Sequence, residues 1–187
     1  MKNLALTFSA LVLSVLLFSC GGGKKTSESI AVENVDSLLL MADSLVGKNI
    51  TVSGVCTHIC AHGGKKLFLM GTTDSISIRV EANEEIGTFS EDVVNALVEV
   101  TGKLTEERID EAYLQKWEAD IAAETAEKHG EGDGGCVTEK KTQGEQKANS
   151  AAERIANFRK RIEAEKAKTG KEYLSFYHIV AESYKVL

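Results

Sequence analysis

Two stretches of this 187-residue chain share one rhythm, with an apolar residue, a valine and a glycine at alternate positions: Ile50-Thr51-Val52-Ser53-Gly54 and Val98-Glu99-Val100-Thr101-Gly102. Alternation with a period of two marks a strand with one buried face. A glycine inside such a strand marks a place where the sheet bends or bulges and a Cβ would clash. A chain that uses this device twice is suited to a small, tightly curved sheet. The copies fall in strands expected at 49–55 and 96–104. Further β-rich runs at 66–70 and 75–80 are set off by Gly, Asn, Asp and Ser, and 173–187 alternates over Phe176, His178 and Val180 as a fifth strand.

Ahead of these strands, Val35, Leu38, Leu39, Ala42, Leu45 and Val46 fall on one face of a helix expected within 30–46, which Gly47 stops. Between the fourth and fifth strands lies an insertion, 106–171. Ile109, Tyr113, Trp117 and Ile121 repeat every four residues, and Ala151, Ile155, Phe158 and Ile162 every three or four, predicting a two-helix hairpin. The first arm is rich in acidic residues and the second in basic ones, so the two are expected to pair. Exposed pairs are worth only about 0–1 kcal/mol each, which makes them guides to alignment more than sources of stability.

With the strands placed, the chain resembles the bacterial OB-fold family through Leu45-Val46-Gly47-Lys48-Asn49-Ile50-Thr51-Val52-Ser53-Gly54-Val55 and Ala96-Leu97-Val98-Glu99-Val100-Thr101-Gly102-Lys103-Leu104. The resemblance covers roughly 35–104 plus the last strand. It implies an α+β fold, mainly β: an OB-like five-stranded Greek-key barrel with a short N-terminal helix and the helical hairpin inserted before the final strand. The expected organisation is a barrel over 30–105, the insertion over 106–171 and the closing strand over 172–187.

The N-terminus carries a second resemblance. Lys2 precedes an apolar run over 4–18 that is too short to span a bilayer, and Leu16-Leu17-Phe18-Ser19-Cys20-Gly21 resembles the lipobox of bacterial lipoproteins. The resemblance implies a signal peptide over 1–19, lipidation of Cys20, and a mature protein held in the cell envelope through several acyl chains, a stable anchor where one chain is marginal. Gly at position 21, in place of the Asp of an inner-membrane retention signal, points to the outer membrane; which face the protein occupies stays open. Residues 20–29 are the lipidated Cys and a Gly/Ser/charge-rich tether.

Candidate chemistry lies in Cys56, His58, Cys60 and His62, four soft or borderline metal ligands at alternate positions. In a regular strand all four share a face. A straight strand nevertheless sets the two Cys about 13 Å apart, whereas zinc ligands must lie within ~4 Å of one another, so a bend is required and Gly63-Gly64 supplies mobility. Thiolate and imidazole favour zinc, with copper or iron as alternatives. A thiol redox role and a structural cluster without ligand stay open beside metal binding. After lipidation of Cys20 three thiols remain, an odd number for an exported protein. Cys136 and His129 belong to the tip of the insertion, which two straight helices would carry about 34 Å from the barrel.

The formal net charge of −6 gives nothing to attract phosphate, and the aromatic residues read as core rather than as a nucleic-acid stacking surface. No Ser-His-Asp or Cys-His-Asn arrangement can be picked out, and nothing links Glu81, Glu84 and Glu85 to the Cys/His cluster. The expected activity is therefore binding rather than catalysis: a metal-binding envelope module, or an interaction lipoprotein whose insertion grips an envelope partner.

Overall fold

A computed structural model describes residues 28–61, 63–123, 136–148 and 150–187. The leader, Cys20, His62 and His129 lie outside the described residues. The elements run β1 (Ile30–Val32), α1 (Val35–Leu40), α2 (Ala42–Leu45), β2 (Asn49–Ile59), β3 (Lys66–Met70), β4 (Ser77–Ala82), a 3-10 turn (Glu91–Val93), β5 (Leu97–Asp110), α3 (Glu111–Ala122), α4 (Val137–Thr142), α5 (Ala151–Thr169) and β6 (Tyr173–Val186). Strands β2, β3, β4, β6 and β5 pair in that order, and β5 returns to β2, closing a five-stranded mixed barrel. The β4–β6 contact is parallel; the other four are antiparallel.

Both glycines of the repeated rhythm sit where backbones crowd. A Cβ on Gly102 would lie 2.3 Å from the Val180 carbonyl oxygen, and one on Gly54 would lie 2.9 Å from that of Met70. The β5–β6 register shifts between Thr101 and Gly102, the bulge expected of a strand that turns sharply. Inside, Ile50, Val52, Leu67, Leu69, Ile78, Val80, Val98, Val100, Leu104 and Ile179 form the main core, all at 1% exposure or less.

The helix expected over 30–46 is only partly helical. Residues Ile30–Val32 form β1, which runs parallel to β2 at Ile50–Val52 and covers backbone that would otherwise be an open sheet edge. Asn34 caps α1 by accepting a hydrogen bond from the Ser37 amide at 2.8 Å. Val35 and Leu38 then join the core. Asp36 accepts from the amide and hydroxyl of Thr72, pinning α1 to the β3–β4 turn and holding its carboxyl below the usual range.

The insertion begins later than expected. Strands β5 and β6 continue past the barrel as a paired ribbon, from Glu106 opposite Tyr177 to Asp110 opposite Tyr173, so Ile109 is a strand residue and not the first residue of a helical stripe. Asp110 caps α3 through the Tyr113 amide. Ile109, Leu114, Ile155 and Phe158 make a second core, with Trp117, Leu174 and Phe176 against it. The helices thus pack on the ribbon as well as on each other. The expected acidic–basic pairing is realised by Arg159 of α5, which reaches Glu111 and Glu118 of α3 at 2.7 Å each. Arg154 meets Glu145 through two hydrogen bonds of 2.7 Å and is 8% exposed.

Candidate functional site at the roofed barrel face

The hydrogen-bond register of β2 decides which donors of the Cys/His segment can meet. Cys56 pairs with Leu69 and His58 with Phe68, so the strand bulges at Thr57 and its faces exchange beyond it. The core side therefore runs through Ile50, Val52 and Cys56 and then to Ile59, which packs against the same core. Cys56 is fully buried there, and burial raises its thiol pKa above the ordinary value. His58 lies on the other face, its ring 5.9 Å from that of Phe68. Cys60 follows the strand directly, 7% exposed and outside the core cluster, its amide donating to the Lys66 carbonyl at 2.8 Å. The single-face ladder Cys56, His58, Cys60, His62 is thus broken by one inserted residue, which leaves Cys56 on the wrong side.

Cys136 is placed differently from the sequence expectation as well. Instead of standing far from the barrel, it opens α4, which folds back over β3 and β4. Glu139 of α4 binds Lys66 at 3.0 Å and also Arg79; Lys141 binds Asp74 at 3.2 Å; Thr142 bonds Ser77 at 2.7 Å. The result is that Cys136 comes to lie beside Cys60: burial raises the Cys136 thiol pKa, and the neighbouring Cys60 adds to the rise. The straight-helix estimate failed because α4 and α5 are separate helices, and the first of them is a lid. Among the described residues no group of three or more His, Cys, Asp and Glu is arranged around one metal position.

Beneath α4 lies a charged cluster centred on Arg79, which is 11% exposed at its side chain. Strand alternation puts it on the outer face between Ile78 and Val80, which point into the core. Its Nη2 meets Glu107 at 3.0 Å and its Nη1 meets Glu139; its Nε lies 3.2 Å from Glu81 without the alignment of a hydrogen bond. Burial opposes the charge on Arg79, but the three carboxylates outweigh it and raise its pKa. Burial likewise opposes the charge on Glu139, and Lys66 and Arg79 reverse the balance, holding the carboxyl below its usual range. His178, next to Arg79 across the β4–β6 pair, is 8% exposed, and its pKa is lowered first by burial and then by Arg79.

A cleft of about 130 Å³ opens at this cluster, lined by Phe68, Arg79, Glu139, Phe176 and Tyr177 among others. With three carboxylates already on it, Arg79 acts as a tie between barrel and lid and is poorly suited to receive an anion. The outward position of Arg79 was readable from the Ser77-Ile78-Arg79-Val80 alternation; the approach of Cys136 to Cys60 had no sequence signal. No protein-family model and no curated protein matches this chain.

Proposed function

We propose that the chain is a lipid-anchored binding module of the bacterial cell envelope, attached through Cys20, most simply at the outer membrane, and built on an OB-like Greek-key barrel. The barrel's strand order and its helical insertion support the OB-like assignment. Its ligand on this reading is a soft or borderline metal ion, zinc first, with copper or iron as alternatives. Two thiols that the fold brings to one side of the barrel rim carry this reading: Cys60, just after β2, and Cys136, just before α4. They fit such an ion by donor chemistry, with His58 on the same strand face and His62 two positions beyond Cys60 in sequence. Cys56 does not fit, because its thiol lies in the core. The bound ion would supply the bond between rim and lid; the chain's own part is to present two thiolates and to shield them under α4. On this reading the activity is binding.

The test is elemental analysis of the full chain, purified without oxygen or chelator. Near-stoichiometric metal is expected in the wild type and in Cys56→Ala, and its loss in Cys60→Ser and in Cys136→Ser. Wild-type protein without metal would overturn the reading. The alternative is then an interaction lipoprotein, favoured by the apolar side chains that the insertion leaves in solvent: Tyr113 at 40%, Ile121 at 37% and Val137 at 79% exposure.

A further inference from the structure

We infer that Cys60 and Cys136 are a cross-linking pair: in the exported protein without metal they close to a disulfide that fastens the insertion onto the rim of the barrel. The inference goes beyond the metal reading and does not depend on it, since the bond forms between vacant thiols whether or not an ion ever occupies them.

Three observations lead to it. The first is position. The Cys60 amide donates to the Lys66 carbonyl at 2.8 Å, and the Lys66 ammonium binds Glu139 at 3.0 Å. Cys136 stands one helical turn before Glu139, and its carbonyl accepts from the Lys140 amide at 3.1 Å. This chain of contacts brings Cys136 to the side of the barrel rim where Cys60 sits. Both residues end elements, Cys60 just after β2 and Cys136 just before α4, where small backbone shifts toward disulfide geometry disturb few ladder bonds. The second is elimination. Cys56 is sealed in the core on the other side of a bulged strand, so it can reach neither thiol. With Cys20 lipidated, an odd set of three thiols resolves into one buried cysteine and one pair. The third is access. Cys136 is the half-exposed member and Cys60 the buried one, so an external reagent meets Cys136 first.

The oxidant is a disulfide of the surrounding compartment, RSSR. Cys136 loses its proton and attacks one sulfur of RSSR, forming a Cys136–SR mixed disulfide and releasing RS⁻. Cys60 loses its proton and attacks the Cys136 sulfur, forming the Cys60–Cys136 bond and releasing the second RS⁻. Two protons and two electrons leave the protein, and RSSR becomes two RSH.

The experiment treats the full chain, stripped of metal with chelator, with oxidised glutathione and follows it by intact mass and non-reducing tryptic mapping. The expected product has lost two hydrogens and joins the peptide bearing Cys60 to the His129–Lys140 peptide bearing Cys136. Cys56→Ala gives the same link, Cys60→Ser and Cys136→Ser give none, and fragmentation of the wild-type product places the bond even if Cys56→Ala does not fold. Glutathione adducts without a link, or a bond to Cys56, would overturn the inference. Wild-type protein that carries no metal as isolated without chelator, yet forms the link, would leave this inference standing while the metal reading falls.

Discussion

The inside of the barrel and the outer face under α4 are held by different physics. Inside, Ile50, Leu69, Val80, Val100, Leu104 and Ile179 are apolar, fully buried and contributed by five strands that close on one another. Outside, the lid rests on ions, Glu139 between Lys66 and Arg79 and Lys141 on Asp74, and the α3–α5 contact carries Arg159 between Glu111 and Glu118. Apolar burial is insensitive to pH and only weakly sensitive to salt, whereas a carboxylate held by a neighbouring cation is lost to protonation. The comparison therefore separates a body that persists across solution conditions from a cover that can be loosened without unfolding it.

The barrel half of that comparison is tested most severely by Leu69→Ala. Leu69 sits in the core, pairs with both Cys56 and Ile78, and leaves a cavity that the closed strands cannot collapse to fill. A loss of about 2–5 kcal/mol is expected, at the scale of a fully buried leucine. Chemical denaturation should move to lower denaturant as one transition, with similar losses at pH 7 and pH 4. A loss confined to one pH would mean that charge contributes to the interior and that the distinction fails.

The interior was legible in the sequence because its signals are local. The alternation around Gly54 and Gly102 marks the curved strands, and the short runs at 66–70 and 75–80 lie within two residues of the observed β3 and β4. What sequence missed depends on long-range packing. Ile30–Val32 is a strand because an edge of β2 is open to it, which its own residues do not say. Ile109 fits a helical stripe and a strand face equally well, and the ribbon partner Leu174, far along the chain, settles the matter. The Cys/His segment failed as a single-face ladder at one residue, Thr57, whose insertion into the register is invisible to a count of every second position. Cys136 reaches Cys60 only because α4 folds back onto Lys66 and Arg79.

The lid half of the comparison predicts selective loosening in acid. His178 and Glu139 both have folded pKa values below their ordinary 6.5 and 4.5. Such groups add stability that is complete above the ordinary value and lost as pH falls through the depressed folded value. Protection of α4 in hydrogen exchange should therefore weaken below about pH 6.5 as His178 becomes harder to keep neutral, and further below about pH 4.5 as Glu139 takes up a proton, while β2, β3 and β5 stay protected. Glu139→Gln should release α4 at neutral pH, leave the barrel transition in place and remove the lower step. Simultaneous loss of protection in α4 and β3 would show that lid and barrel open as one unit.

The smallest effect is expected where charges are exposed. Arg159 makes two pairs with α3 and its guanidinium is stabilised by the hydrogen bonds it donates to Glu118 and Glu111, yet it is a surface group. Water and salt screen such pairs, and holding a long side chain in one geometry costs rotamer freedom that offsets the attraction. Beneath it, Phe158 and Ile155 bury their side chains against Leu114 and the ribbon, and those contacts survive truncation of the arginine. Arg159→Ala should therefore shift the melting temperature far less than Phe158→Ala, and the small difference should shrink as salt is added. If instead Arg159→Ala matched Phe158→Ala at low salt and lost that effect as salt was added, the α3–α5 contact would be held by its ions, and the insertion would belong wholly to the charged side of the comparison.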